Sequence, residues 1–150
     1  MKELLNSEII IDSNIIRYNN YYKKYLNNWI NPNQIIKTQL LIRLSRDGDS
    51  IETFHNLCDN ISPTLVIAES LNGKKFRGNT TCTWDKNGED KKDDKTFLFS
   101  LTKREIFKKK EINKRDIYYN NSYGPVFGGN DFFLSDTKKM YFRYRLLFFI

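Results

Sequence analysis

His55 and Cys58 stand three residues apart, a spacing that puts an imidazole and a thiol on neighbouring parts of one helix face. Nucleophilic catalysis by a thiol needs such a base beside it and a third group to orient the base. The chemistry this pair would serve is a thiol-dependent redox reaction or peroxide scavenging. Cys58 also lies beside Phe54 and Leu57, however, and a cysteine in apolar company is most often part of a core. Cys82 sits between two threonines with nothing adjacent to activate it. Two cysteines are too few for a disulfide framework and lack metal-ligand spacing. Reduced thiols in a cytosolic setting are therefore expected.

The remaining polar motifs have structural readings. Asp47 and Asp49 flank Gly48, where turn formation and helix capping are their ordinary roles. The stretch "DKNGEDKKDDK" resembles a calcium loop only superficially, because its glycine falls at the fourth position and not the sixth. The run "KREIFKKKEINKR" holds Lys103, Arg104, Lys108, Lys109, Lys110, Lys114 and Arg115. It could contact phosphates in a nucleic acid, but only Phe107 is interleaved for stacking. A solvated excursion, or a surface for an acidic protein, fits it as well. "SYGPVFGG" is followed by a strand-like "NDFFLS" with no helix N-terminus, so the glycines do not read as a phosphate loop. They read as a corner between strands, with at least one glycine at positive φ and Tyr123 or Phe127 packed inward. No catalytic residue, cofactor site or metal site is assigned.

Elements must position these residues. The 150 residues, 39% of them hydrophobic and 15% aromatic, suit one domain with one core. Glu8 and Asp12 interrupt the only signal-like stretch, and no run is long enough for a membrane span. The spacing of Tyr18, Tyr22, Tyr25, Leu26 and Trp29 predicts a helix from about Ser13, stopped by Asn31-Pro32-Asn33. "QLLIRLS" predicts a strand. A second helix carries Ile51, Phe54, Leu57 and Cys58, with Asp49 as its cap and Glu52 completing a capping box. "TLVIAES", "KFRGNTTCTW", "TFLFSL", "IYYN" and "DFFLS" follow as strands. The order is a single α+β domain.

The ordered set "LIRLSRDGDSIETFHNLCDN", "PTLVIAES", "KKFRGNTTCTW", "TFLFSL" and "IYYNNSYGPVFGGNDFFLS" resembles the TLDc family, in particular its members from single-celled eukaryotes, with Trp29-Ile30 opening the domain. The resemblance implies a sandwich of two antiparallel β-sheets flanked by short helices. It places family-motif residues, mainly structural, at Arg46, Asp47, Gly48, Phe54, Cys58, Asp59, Ser122, Tyr123, Gly124, Pro125, Phe127, Gly128, Gly129 and Asp131. It covers 28–135, after a helical lead-in over 1–27 and before an apolar tail over 136–150 that does not match. The family closes with a strand rich in Glu and Val. Here "DTKKMYFRYRLLFFI" stands instead, and the closing strand is expected to be missing or replaced. Where the family has two small residues, this chain has Arg77-Gly78.

By resemblance the role is non-enzymatic: a protein-interaction module linked to oxidative-stress resistance, in a family several of whose members bind the vacuolar proton-pumping ATPase and regulate its assembly. The implied location is the cytoplasm, including endolysosomal or vacuolar membranes reached through a partner. The alternatives are the thiol enzyme using Cys58 and His55, and nucleic-acid binding through 103–115.

Overall fold

The computed structural model describes residues 16, 19–34, 36–108, 116–128, 132–135 and 147–149, with only the backbone for 77, 132–135 and 147–149. Helix α1 (Asn20–Ile30) starts where the Asn19 side chain accepts from the amides of Tyr21 and Tyr22 at 3.1 and 3.2 Å. The part of the expected helix before Asn19 lies mostly outside the described residues. Buried Asn27 fastens the exit from α1. Its amide donates to the Asn31 and Gln34 carbonyls, and its oxygen accepts from Ile36 N–H at 2.8 Å.

Strand β1 (Leu40–Arg43) is shorter than the sequence suggests, because the chain turns into a single helical turn, α2 (Leu44–Asp47). The cause is local. Asp47 Oδ2 accepts Arg43 N–H at 2.7 Å, and Gly48 N–H donates to Leu44 C=O at 3.1 Å. Helix α3 (Ile51–Cys58) is capped by Ser50, whose hydroxyl accepts Thr53 N–H at 3.0 Å. Asp49 is not the cap. The helix begins one residue later than expected, and the capping oxygen comes from the residue adjoining Ile51.

The rest is β-structure: β2 (Thr64–Glu69), β3 (Lys75–Thr80), β4 (Asp90–Lys91), β5 (Phe97–Ser100), β6 (Glu105–Phe107), β7 (Ile117–Tyr118), β8 (Tyr123–Phe127), β9 (Phe132–Ser135) and β10 (Leu147–Phe149). They form a six-stranded sheet, β1-β10-β2-β3-β5-β6, and a four-stranded sheet, β4-β7-β8-β9. Every pairing within the sheets is antiparallel. Two antiparallel sheets with short helices make the expected α+β sandwich.

Three features differ from expectation. The apolar tail supplies β10, which pairs with β1 on one side and β2 on the other. β3 ends at Thr80 instead of running to Trp84, because Asp93 accepts from the Thr80 hydroxyl, the Thr81 amide and the Thr81 hydroxyl and draws the chain aside. Part of the basic stretch is strand β6 and not loop. At Arg77 the backbone of β3 stays in register with both neighbours, opposite Ile67 and Phe99.

β2 explains the core. Its alternate side chains face opposite ways. Leu65 and Ile67 pack with Leu26, Phe99 and Leu101 under α1, with Trp29 and Ile30 against them. Val66 and Ala68 pack with Ile42, Phe54, Cys58, Trp84, Ile117, Tyr119 and Phe127. Both faces are covered, so the strand reads as an unbroken apolar run. Gly78 on the neighbouring strand is required by contact. A Cβ there would sit 2.7 Å from the Phe127 ring and 3.0 Å from Leu98.

Candidate functional site

The chemistry-bearing residues converge where α3 meets the turn between β7 and β8. His55 is buried, and its Nδ1 lies 2.8 Å from Asp59 Oδ1, one helical turn on. Its Nε2 lies 3.0 Å from both the Asn120 and Tyr123 carbonyl oxygens. Carbonyls only accept, so Nε2 donates. On the other side of the ring, Nδ1 faces the Asp59 carboxylate. The ring straps α3 to the start of β8. Asp59 is itself anchored: it forms an isolated parallel bridge with Trp84, and Asn60 N–H donates to Trp84 C=O at 2.9 Å.

Around this strap is an aromatic cluster. Trp84 is edge-on to Phe54 and Phe127, with ring centroids at 5.8 and 5.6 Å, and its indole N–H donates to Thr64 Oγ1 at 2.9 Å. Tyr119 adds a tilted contact at 5.5 Å. Lys91 Nζ sits 4.1 Å from the centre of the Tyr119 ring and 2.7 Å from Asp85, and it also donates to Thr83 C=O.

Cys58 lies in this core with no exposed surface. Burial pushes its thiol well above the ordinary cysteine range, and the nearby carboxylates of Asp59 and Asp47 add to the rise. Both ring nitrogens of His55 are already committed, so neither is left to take a proton from Cys58. The helix spacing brings the two residues onto one element without making them a nucleophile and base. Cys82 is also raised, first by burial and then by Asp93. Its thiol is within weak donor reach of Lys92 C=O at 3.7 Å.

The motif residues divide by role. Arg46 clasps Asp47 through two bonds of 2.6 and 2.8 Å, and with the Arg43 amide this shapes α2. The Arg46 bond comes first among the causes that hold the Asp47 carboxyl below its usual range. Ser122 is exposed in the turn, where its amide donates to Asn120 Oδ1 at 2.8 Å. Tyr123 is 37% exposed and Phe127 fully buried. Gly124 and Pro125 are buried inside strand β8, not in a corner: the chain turns before Tyr123, and the two residues lie at a register shift between the paired positions Tyr123 and Val126. Gly128 carries the positive φ, +66°, as the chain leaves β8, and its N–H donates to Asp116 C=O at 2.8 Å. Gly129 and Asp131 lie outside the described residues, as do Lys109, Lys110, Lys114 and Arg115. Of the basic stretch, Lys103, Arg104 and Lys108 are described and exposed.

Sequence reasoning passed over Asp93. It is buried yet accepts from the hydroxyls of Thr80, Thr96 and Thr81 and from the amides of Thr81 and Lys95, at 2.6 to 3.0 Å. Burial works to raise its pKa, but the hydrogen bonds from Thr80, Thr96 and Thr81 outweigh it and bring it down to about 2. The available signal was Thr96 three residues after Asp93, a spacing at which a side chain bonds locally. No helix among the described residues is long and apolar enough to cross a membrane, and no group of three His, Cys, Asp or Glu side chains among them could hold a metal ion.

A family model described as the TLDc domain matches residues 9–146. The chain is also similar to the MTOR-associated protein MEAK7 of Mus musculus, with 30% identity over 83 residues, covering 53% of this chain and 18% of that protein.

Proposed function

This chain belongs to the TLDc domain family, and from that premise we propose that it is a non-enzymatic protein-interaction module, linked to oxidative-stress resistance, that binds the peripheral part of a vacuolar proton-pumping ATPase and regulates its assembly. The observation that favours binding over thiol chemistry is the state of the one cysteine–histidine pair. Cys58 is sealed in the core with its thiol held protonated, and His55 is saturated by Asp59 and two backbone carbonyls. A reactive thiol needs exposure and a lowered pKa, and Cys58 has neither. The ATPase as partner rests on the family resemblance. The relative in mouse is named for association with mTOR and shares only a fraction of its length with this chain.

Affinity capture with the tagged chain from its cell of origin tests the reading, with a second TLDc protein run in parallel and both ATPase subunits and mTOR probed. ATPase subunits are the expected catch. Their absence, with the parallel protein succeeding, counts against the proposed partner. The thiol alternative has its own check: a maleimide at neutral pH should leave Cys58 unmodified in the folded protein and label it in denaturant. Rapid labelling of the native state would restore the enzyme reading.

A further inference from the structure

Among the described residues, one side of β6 has no paired strand: β6 ends the order of the six-stranded sheet and bonds only to β5. The register shows which of its backbone groups are spare. Leu101 N–H donates to Lys75 C=O at 2.9 Å, so Lys75, Arg77 and Asn79 are the β3 positions that bond toward β5. Phe99, opposite Arg77, then turns its N–H and C=O to β3, while Leu98 and Ser100 turn theirs to β6. Their partners Phe107 and Glu105 are thereby engaged. Ile106, between them, points its N–H and C=O away from the sheet. Its side chain packs against the cluster beneath α1, which holds the strand in place.

Charge distinguishes this edge from an ordinary strand end. Lys103, Arg104 and Lys108 are exposed beside it, against the single acid Glu105. From 103 to 115 the sequence has seven basic residues and two acidic ones, a net +5 of the chain's +7. Phe107 is 47% exposed on the same face as Glu105.

We propose that β6 is a docking edge for an extended acidic segment of a partner protein, which adds to the sheet as a further strand. Its backbone bonds the outward N–H and C=O of Ile106, its carboxylates meet Lys103 and Lys108, and an apolar side chain covers Phe107. A nucleic acid suits the edge less well. One exposed aromatic makes no stacking platform, and the outward carbonyl repels phosphate. The inference rests on the protein-binding reading above and gives that partner a chemistry.

The probe is a fluorescent decapeptide of alternating Glu and Val, titrated with the full chain and followed by anisotropy. Comparison probes are the same peptide N-methylated at every amide, a Lys-Val peptide and a dT12 oligonucleotide. The acidic peptide should bind, the Lys-Val peptide should not, and N-methylation should weaken binding by about tenfold or more. The double variant Lys103→Glu/Lys108→Glu changes only exposed side chains and should also weaken it about tenfold, with an unchanged melting curve. Equal binding of the methylated peptide, indifference to the double variant, or tighter binding of dT12 than of the acidic peptide would each overturn the proposal. The affinity capture is then repeated with the double variant. Loss of both peptide and ATPase supports the edge as the docking place. Loss of the peptide with the ATPase retained overturns it and leaves the functional reading intact. Peptide binding by a parent chain that captures no ATPase defeats the functional reading and leaves the edge standing.

Discussion

Asp93, buried, and Asp59, half-buried, show two ways to hold a carboxylate in the fold. Asp93 is surrounded by neutral donors: three threonine hydroxyls and two amides, with no cation bonded to it among the described residues. Asp59 faces a histidine, and that histidine depends in turn on two carbonyls from the β7–β8 turn. The first is a clamp within one layer, tying the loop before β5 to the end of β3. The second is a strap between layers, tying α3 to the four-stranded sheet. Many short bonds from a preshaped loop can hold a charge without a counter-charge. A strap asks less of the local backbone, but it fails if any one of its links is removed.

The sharpest way to break the comparison is Asp93→Ala, which strands five donors. Removal should cost about 3 to 4 kcal/mol, because buried hydroxyls and amides lose their acceptor together. Urea unfolding measures it, and a loss below about 1 kcal/mol would mean that water replaces the carboxylate without penalty. His55→Ala should come next, at about 2 to 3 kcal/mol, since it removes the imidazole bonds to Asp59 and to the Asn120 and Tyr123 carbonyls. Hydrogen exchange should show the loosening concentrated at the Asn120–Tyr123 turn, whereas the Asp93 variant should loosen Thr80 and Thr81. Exchange patterns that coincide would dissolve the distinction.

The clamp also predicts an acid response. The folded pKa of Asp93 is depressed to about 2 from an ordinary 3.8. Its contribution is therefore complete above about pH 4 and is lost as pH falls through 2, about 2 kcal/mol in all. Stability measured from pH 5 to pH 2 should fall more in the parent than in Asp93→Ala, and parallel curves would contradict the assignment. The smallest effect concerns the link between the two regions. Gly128 N–H bonds Asp116 C=O, and the Asp116 carboxylate accepts Asp93 N–H at 2.8 Å. Gly128→Ala keeps that bond but forces a side chain onto φ +66°, which should cost about 1 kcal/mol. An unchanged thermal midpoint would show that the turn relaxes freely.

Much of the fold was legible in the sequence because it is written locally. β2 shows as an apolar run, and α3 shows through Ile51, Phe54 and Cys58 on one face. The cap of α3 was off by one residue because Asp49 and Ser50 are both good capping types, and only geometry chooses between them. Gly124-Pro125 looked like a corner by composition, yet it lies within strand β8, at a register shift flanked by the paired residues Tyr123 and Val126. The donors to Asp93 from Thr80 and Thr81 lie twelve or thirteen residues away, across the turn after β3. No local pattern announces such a contact. At the candidate site, the spacing of His55 and Cys58 was visible, but two of the three partners that occupy the ring arrive from 65 and 68 residues downstream.

The position of β10 bears on the order in which the molecule can assemble. β2, β3, β5 and β6 pair with near neighbours in the chain, so that part of the sheet can close soon after it is synthesised. β1 has no such route. It reaches β2 only through β10, and Leu40 meets Phe149 across about a hundred residues of intervening chain. Until that late strand arrives, β1 has no sheet partner among the described strands, and the edge of β2 stands open to whatever strand comes first. A nascent chain held at that stage is the form a chaperone, or a misplaced copy of the same sequence, would meet.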